Sequence, residues 1–126
     1  MRMKIGEEAR IFEIVFPTHT NNYNTLFGGH ALSLMDRLAY IVSSRYARKQ
    51  MVTVASDKVE FRHPVNEGDL VELVGKVVRA GRTSVTVDID MYSENLLSGA
   101  RELCTTAEFV MVAVDGDGNP ASVPQD

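Results

Sequence analysis

The sequence predicts an α+β domain in which one long helix is covered by an antiparallel β-sheet. Three observations support this. Apolar residues recur at helical spacing in a single segment, the other apolar segments are rich in β-branched residues, and the later ones are joined by short polar turns. Short connections favour antiparallel neighbours. Because the helix is apolar on most of its surface, the sheet must curl around it.

The first two predicted elements are a strand and the helix. A strand is predicted over residues 8–16, an apolar and β-branched stretch that ends before Pro17. After a loop rich in asparagine and threonine, a helix is predicted from Gly28 to about Ala47. Its apolar residues recur at spacings of three and four, and they form a wide face that has to be covered on several sides.

Four more strands follow the helix. They are predicted over residues 51–63, 69–80, 83–92 and 101–114. The third of them, TSVTVDIDMY, alternates almost strictly between apolar and polar side chains, as a strand with one buried face does. The outer face and the edges of such a sheet remain open, and dimerisation is the simplest way to cover them.

Length, charge and cysteine content narrow the class of protein. The chain has 126 residues, which suits one domain over residues 1–126, and its net charge of −4 argues against a general nucleic-acid binder. No apolar run approaches the roughly 20 residues of a membrane helix, and the first ten residues lack the apolar core of a signal peptide. The single Cys104 fits a reducing compartment. The sequence therefore predicts a cytoplasmic protein that binds neither nucleic acid nor membrane.

Four motifs occur in order along the chain and together resemble one family. They are LFGGHALSLMD, VTVASDKVEFRHPVNEGDLVEL, VVRAGRTSVTVDIDMYSE and AEFVMVAVDGDGNP. The set resembles the hotdog-fold acyl-CoA thioester hydrolases, in particular the bacterial acyl-CoA thioesterases related to the brain-type acyl-CoA hydrolase, from Ile14 to Pro124. The resemblance implies a helix wrapped by the sheet, dimers that share a continuous sheet, assembly into trimers of dimers, and active sites at the dimer interface.

The glycine pair at the helix start is a candidate oxyanion site. The first N–H groups of a helix have no intrahelical acceptor and carry a partial positive charge. Glycine lets a substrate oxygen approach the backbone, so the amides of Gly28, Gly29 and His30 are candidates to stabilise a developing oxyanion. The resemblance implies that Gly29 makes this contact. Alternatively, the glycines only permit close packing of helix and strand.

Asp36 is the candidate that activates water. Burying an unpaired carboxylate is costly, so a carboxylate on an apolar helix is paired, solvated or functional. It can accept a proton from an attacking water or attack the carbonyl itself. The resemblance places the family's acidic catalytic residue at this position. The alternative is a salt bridge to an arginine such as Arg37 or Arg62.

The loop before the glycines departs from the family pattern. Related enzymes often carry asparagine or aspartate three positions before the glycine pair, whereas this chain has Thr25 there, preceded by Asn24. Thr25 can hold a water or the thioester but cannot act as a base. Asn24 either replaces the missing side chain or caps the helix, and the cap is the preferred interpretation.

A hairpin later in the chain is the candidate coenzyme A contact. The segment RAGRTS places Arg79 and Arg82 around Gly81, followed by the hydroxyls of Thr83 and Ser84. Guanidinium groups and turn amides suit phosphates, although the same segment can be a plain turn with solvated arginines. Further candidates are Arg62 and His63 for the nucleotide, Val54, Ala55 and Ser56 for the pantetheine, and Leu26, Phe27, Leu32 and Tyr40 for the acyl chain.

These residues lead to one preferred function and two alternatives. The preferred function is hydrolysis of an acyl-CoA thioester to a free carboxylic acid and coenzyme A. The histidines lack metal-like spacing, so no metal or other cofactor is expected beyond the coenzyme A of the substrate. One alternative is a hydroxyacyl thioester dehydratase that uses His30, and the other is a non-catalytic acyl-CoA-binding regulator or assembly module, because Thr25 stands where an acid or amide is usual.

Overall fold

The elements of the chain follow the predicted order of strand, helix and four strands. The computed structural model describes residues 1–125. Its elements are β1 (Glu8–Ile14), a one-turn 3₁₀ helix (Pro17–His19), α1 (Gly28–Ala47), β2 (Gln50–Phe61), β3 (Leu70–Ala80), β4 (Ser84–Glu94) and β5 (Arg101–Val114). The strands form one sheet in the order β1-β3-β4-β5-β2, and all neighbours are antiparallel. The predicted α+β arrangement is confirmed. Among the described residues, no helix is both long and apolar enough to cross a membrane.

The core lies between α1 and the concave face of the sheet. Leu34, Met35 and Leu38 of the helix are almost completely buried, as are the alternating apolar residues of β4. Burying side chains of this size contributes about 1.5–3 kcal/mol each. The helix packs closely on β3 at Gly75, where an added Cβ would lie 3.0 Å from Cγ of Leu38 and 2.8 Å from Cδ1 of Ile89. A glycine is therefore needed there for close packing.

The helix begins without a side-chain cap, so the preferred interpretation of Asn24 was wrong. The N-cap is Phe27, whose carbonyl oxygen accepts the N–H of Ala31 at 3.0 Å. Asn24 lies three residues earlier in a left-handed turn (φ 61°), where its carbonyl oxygen accepts the N–H of Glu67 at 3.0 Å. It therefore shapes the loop rather than the helix end. The C-cap, Arg48, is also left-handed.

Strand β2 forms one edge of the sheet and is exposed on both faces. It pairs with β5 on one side only, and nearly all its residues are exposed. The pairing with β5 is irregular after Thr53 and again after Asp57, where Lys58 has φ 52°. Val52 and Val54 are 40% and 57% exposed. Natural sheets seldom leave such an apolar edge uncovered.

Candidate active site

The two glycines at the helix start differ in what lies beside their Cα atoms. The N–H groups of Gly28, Gly29 and His30 donate to no backbone carbonyl of residues 1–125. A Cβ added to Gly28 would lie 3.4 Å from the ring of Phe61, whereas one added to Gly29 would meet nothing within 4 Å. The Gly28 contact is an ordinary van der Waals distance, so packing does not require glycine at either position. The unpaired amides at the helix start remain candidates for the oxyanion donor, and the space beside Gly29 leaves room for a ligand there.

Asp36 is held by one hydrogen bond and is not part of an ion pair. The Thr53 hydroxyl of β2 donates to Oδ1 of Asp36 at 2.6 Å. Within residues 1–125, no basic nitrogen lies within 4.0 Å of this carboxylate, and Arg62 instead pairs with Glu60 at 3.0 Å. The salt-bridge alternative is therefore wrong. Asp36 is half-buried and keeps Oδ2 free to accept a proton from water.

Asp36 and Gly29 of one chain are too far apart to act on the same atom. They are seven residues apart on α1, which corresponds to about 10 Å along the helix axis. An oxyanion donor must lie about 3 Å from the carbonyl oxygen, and the reacting atoms about 3–3.5 Å apart. Groups this far apart on one chain do not both contact a single atom, and a second copy of the chain offers a way to bring an amide and a carboxylate closer together on one thioester.

The loop before the helix is organised by Asn21, a residue that the sequence analysis missed. Oδ1 of Asn21 accepts the N–H of Tyr23 at 2.8 Å and that of Thr25 at 3.2 Å. Its Nδ2 donates to Oγ1 of Thr25 at 2.9 Å. Thr25 is therefore hydrogen-bonded to Asn21, and Asn24 lies between them in the same turn. The available signal was the asparagine itself, because this residue type forms such turns.

His30 lies beside the helix start against a second histidine. Its ring stacks on that of His19, with centroids 3.9 Å apart and planes inclined by 10°. Burial lowers the pKa of His30, and His19 and Arg37 lower it further, while Glu13 opposes them. No carboxylate of residues 1–125 lies within 4.0 Å of this imidazole. The acid–histidine pair that a dehydratase needs is therefore not formed around His30 in the described chain.

A cavity of about 290 Å³ opens between the helix start and the end of β2. Its lining is mostly apolar and consists of Leu26, Gly28, Ala31, Phe61, Arg62, His63, Pro64, Val65, Met91 and Thr105. Of the four residues predicted to contact the acyl chain, only Leu26 lines this cavity. Phe27 and Tyr40 are each 51% exposed instead.

Two of the three arginines predicted to contact coenzyme A are already paired. Nη2 of Arg79 lies 3.0 Å from Glu108 across the sheet, and Arg62 is bound to Glu60. Each of these exposed guanidinium groups therefore has a carboxylate partner that a phosphate would have to displace or share. Arg82 has no carboxylate within 4.0 Å among residues 1–125.

The turn that carries Arg82 is held by backbone hydrogen bonds. The N–H of Gly81 donates to the carbonyl of Ser84 at 2.8 Å, and the carbonyl of Thr83 accepts the N–H of Ala113 at 2.9 Å. The remaining coenzyme A candidates, Val54, Ala55 and Ser56, lie exposed on β2.

A long helix packed against a five-stranded antiparallel sheet is the architecture of the hotdog fold. Residues 23–100 match the model of the Thioesterase superfamily. The chain belongs to this superfamily.

One relative and two solved structures illustrate the similarity. An uncharacterised acyl-CoA thioester hydrolase, YkhA, of Bacillus subtilis is 40% identical over 111 residues, which are 88% of this chain. The chain spans 64% of the length of that relative. A hexameric acyl-CoA thioesterase is 39% identical, with a TM-score of 0.90 over 94% of this chain and 76% of its own. The acyl-CoA hydrolase of Staphylococcus aureus is 31% identical, with a TM-score of 0.87 over 93% of this chain and 71% of its own. These structures confirm the hotdog fold.

The Staphylococcus aureus hydrolase was solved with butyryl coenzyme A, coenzyme A and coenzyme A disulfide. It was also solved as three variants, in which an aspartate, an asparagine or a threonine was replaced by alanine. In that protein the asparagine precedes the aspartate by 15 positions, and the threonine follows the aspartate by 17.

Proposed function

We propose that this protein hydrolyses acyl-CoA thioesters to a free carboxylic acid and coenzyme A. The observation that carries the proposal is the state of Asp36. It is half-buried, free of any ion pair within residues 1–125 and held by Thr53. The start of the same helix carries the Gly29 amide, which has no backbone acceptor in the described chain. The hydrolase names of the relatives support the same reaction.

A spacing shared with the Staphylococcus aureus enzyme supports three polar residues as the reactive set. Asn21, Asp36 and Thr53 of this chain have the same separations of 15 and 17 positions as the three residues replaced in that enzyme. We therefore assign to Asn21 the role expected of Thr25 or Asn24. Thr25 positions Asn21 through their mutual hydrogen bonds.

The proposed bond changes involve water, the Asp36 carboxylate and backbone amides. The Gly29 N–H donates to the thioester oxygen, and Asp36 accepts a proton as water attacks the carbonyl carbon. The C=O electron pair moves to oxygen and returns as the C–S bond breaks. Coenzyme A leaves as a thiolate and takes up the proton held by Asp36. The Thr53 hydroxyl orients the carboxylate, and no metal or redox cofactor takes part.

The site is proposed to form between two copies of the chain. The separation of about 10 Å between Asp36 and Gly29 along the helix calls for a second copy. The exposed edge of β2 offers a place where two sheets can join. Three such dimers would give a hexamer, the assembly of one similar enzyme.

Substrate contacts are proposed on three surfaces. The turn of Gly81, Arg82, Thr83 and Ser84 holds the phosphates, with Arg82, which pairs with no carboxylate of residues 1–125, as the guanidinium. Val54, Ala55 and Ser56 of β2 line the pantetheine path. The apolar cavity beside Gly28 holds the acyl chain, because it opens next to the amide donors. A cytoplasmic location stays a prediction from the single cysteine.

Thiol release from a series of acyl-CoAs, followed with a thiol-trapping dye, tests the proposal. The native protein should release thiol, and Asp36→Asn should lower kcat by about 10²-fold or more, since general-base catalysis contributes about 10²–10⁴-fold. Asp117→Asn in the exposed turn after β5 is the matched control and should keep native activity. Tight binding of acyl-CoA without turnover would favour the regulator. Loss of an enoyl chromophore without thiol release would favour the dehydratase.

A further inference from the structure

The stacked rings of His19 and His30 join the 3₁₀ helix to the start of α1. Their planes are nearly parallel, with centroids 3.9 Å apart. Nε2 of His30 is buried and has no hydrogen-bond partner within residues 1–125. A buried polar atom without a partner costs about 1–3 kcal/mol, so this arrangement calls for an explanation.

Backbone bonds connect the same two histidines to the candidate oxyanion donors. The carbonyl of His19 accepts the N–H of Phe27, the N-cap of α1, at 3.0 Å. His30 directly follows Gly29, and its own amide belongs to the same group of free donors. The helix has neither a side-chain cap nor an acidic residue in its first turn. The ring stack therefore takes the place of a capping side chain in fixing the start of α1.

A positive charge on the His30 ring would destabilise the ring stack. The charged or titratable groups that face His30 are His19 from the 3₁₀ helix, Arg37 from α1 and Glu13 from β1. The free N–H groups of the helix start add a partial positive charge. Burial, His19 and Arg37 all lower the pKa of His30, and only Glu13 raises it. A proton on the His30 ring is therefore disfavoured by burial and by its positive neighbours, and it would weaken the stack.

We infer that His19 and His30 act as positioning residues, whose neutral, stacked rings hold the Gly29 amide in place for the thioester oxygen. The inference rests on the proposed hydrolysis. Neither ring exchanges a proton with the substrate. Protonation of His30 at acid pH weakens the ring stack, loosens the start of α1 and moves the Gly29 amide.

Two substitutions of His19 separate stacking from charge. His19→Phe keeps a flat ring on His30, so kcat at neutral pH should stay within about twofold of native. Its decline in acid should begin at higher pH, because His19 no longer lowers the pKa of His30. His19→Ala removes the ring and should lower kcat about tenfold at neutral pH with a smaller change in KM, because a small misplacement at a reacting centre is costly. Equal kcat and equal acid profiles for native protein and both variants would overturn the inference.

A spectroscopic measurement tests the same coupling without any turnover. With ¹⁵N-glycine labelling, only nine glycine amides need to be resolved in the intact protein. The Gly29 amide shift should follow the titration of the His30 ring in the native protein and lose this dependence in His19→Ala. A Gly29 amide chemical shift that does not change as His30 titrates would overturn the inference. A coupled Gly29 signal in a protein that releases no thiol would support the coupling and refute the proposed hydrolysis.

Discussion

Replacing Gly29 by alanine should make the protein more stable and much less active. A Cβ at this position meets no atom within 4 Å, and the residue lies in the first turn of α1 without a positive φ. Alanine is favoured over glycine in helices by up to about 1 kcal/mol, and less at a helix end. The melting temperature should therefore rise by about 1–4 °C.

The expected loss of activity follows from the same empty space beside the Cα atom of Gly29. The methyl group would occupy the approach to the amide that we assign to the thioester oxygen. Loss of one oxyanion donor costs about 10²–10³-fold in kcat, or about 2.7–4 kcal/mol. We expect kcat/KM of Gly29→Ala to fall by about 10²-fold, because the amide remains but its access narrows.

Gly28→Ala is the matched control, one residue away on the same turn. Its Cβ would touch the Phe61 ring at 3.4 Å, so its stability should change little and its activity should fall much less than that of Gly29→Ala. Steady-state thiol release and thermal unfolding, both at fixed protein concentration, measure the two effects. A Gly29→Ala variant with native kcat/KM would refute the assignment of the oxyanion site.

Three further predictions concern the cavity, the core and pH. Phe61→Ala should widen the cavity and favour longer acyl chains by about fourfold in kcat/KM per added methylene. Phe12→Ala removes an equally exposed (56%) ring from the opposite edge of the sheet and should leave the chain-length preference unchanged. Equal changes of preference in the two variants would contradict the assignment of the cavity to the acyl chain. Gly75→Ala should lower the free energy of unfolding by about 1–3 kcal/mol in urea titrations, and an unchanged midpoint would contradict the close packing of helix and strand at this residue. The pKa of His30 is lowered in the folded chain, so the unfolded state binds more protons as pH falls below about 6.5. The free energy of unfolding should therefore decrease as the pH is lowered from about 6.5 to the pKa of His30 in the native protein. The same pH dependence in His30→Phe would show that His30 is not its source.

Elements with strong local patterns were predictable from the sequence. The helix occupies Gly28–Ala47 as predicted, because its apolar spacing is sustained and the glycines mark its start. The last strand also has its predicted bounds, Arg101–Val114. The first strand ends at Ile14, two residues early, since Val15 bonds to Asp69 after the pairing with β3 stops. The place of β2 next to β5 had no sequence signal, because strand order depends on tertiary contacts.

The residues of the site were predictable from the sequence only where they lie in one continuous segment. Gly29 and Asp36 lie on one helix, so their roles could be proposed from their positions on it. Thr53 reaches Asp36 from another element, and no local pattern indicates that contact. The pairing of Arg79 with Glu108 likewise joins distant parts of the chain, so the sequence alone presented that arginine as free.

Mixed oligomers of two inactive variants test most directly whether one site uses two chains. In a dimer of Asp36→Asn with Gly29→Ala, one site carries both substitutions and the other carries neither. Random pairing makes about half of all dimers mixed, so co-expression should restore about a quarter of native thiol release. Activity no higher than that of the separate variants would show that amide and carboxylate serve the substrate from the same chain, and would contradict a site shared between two chains.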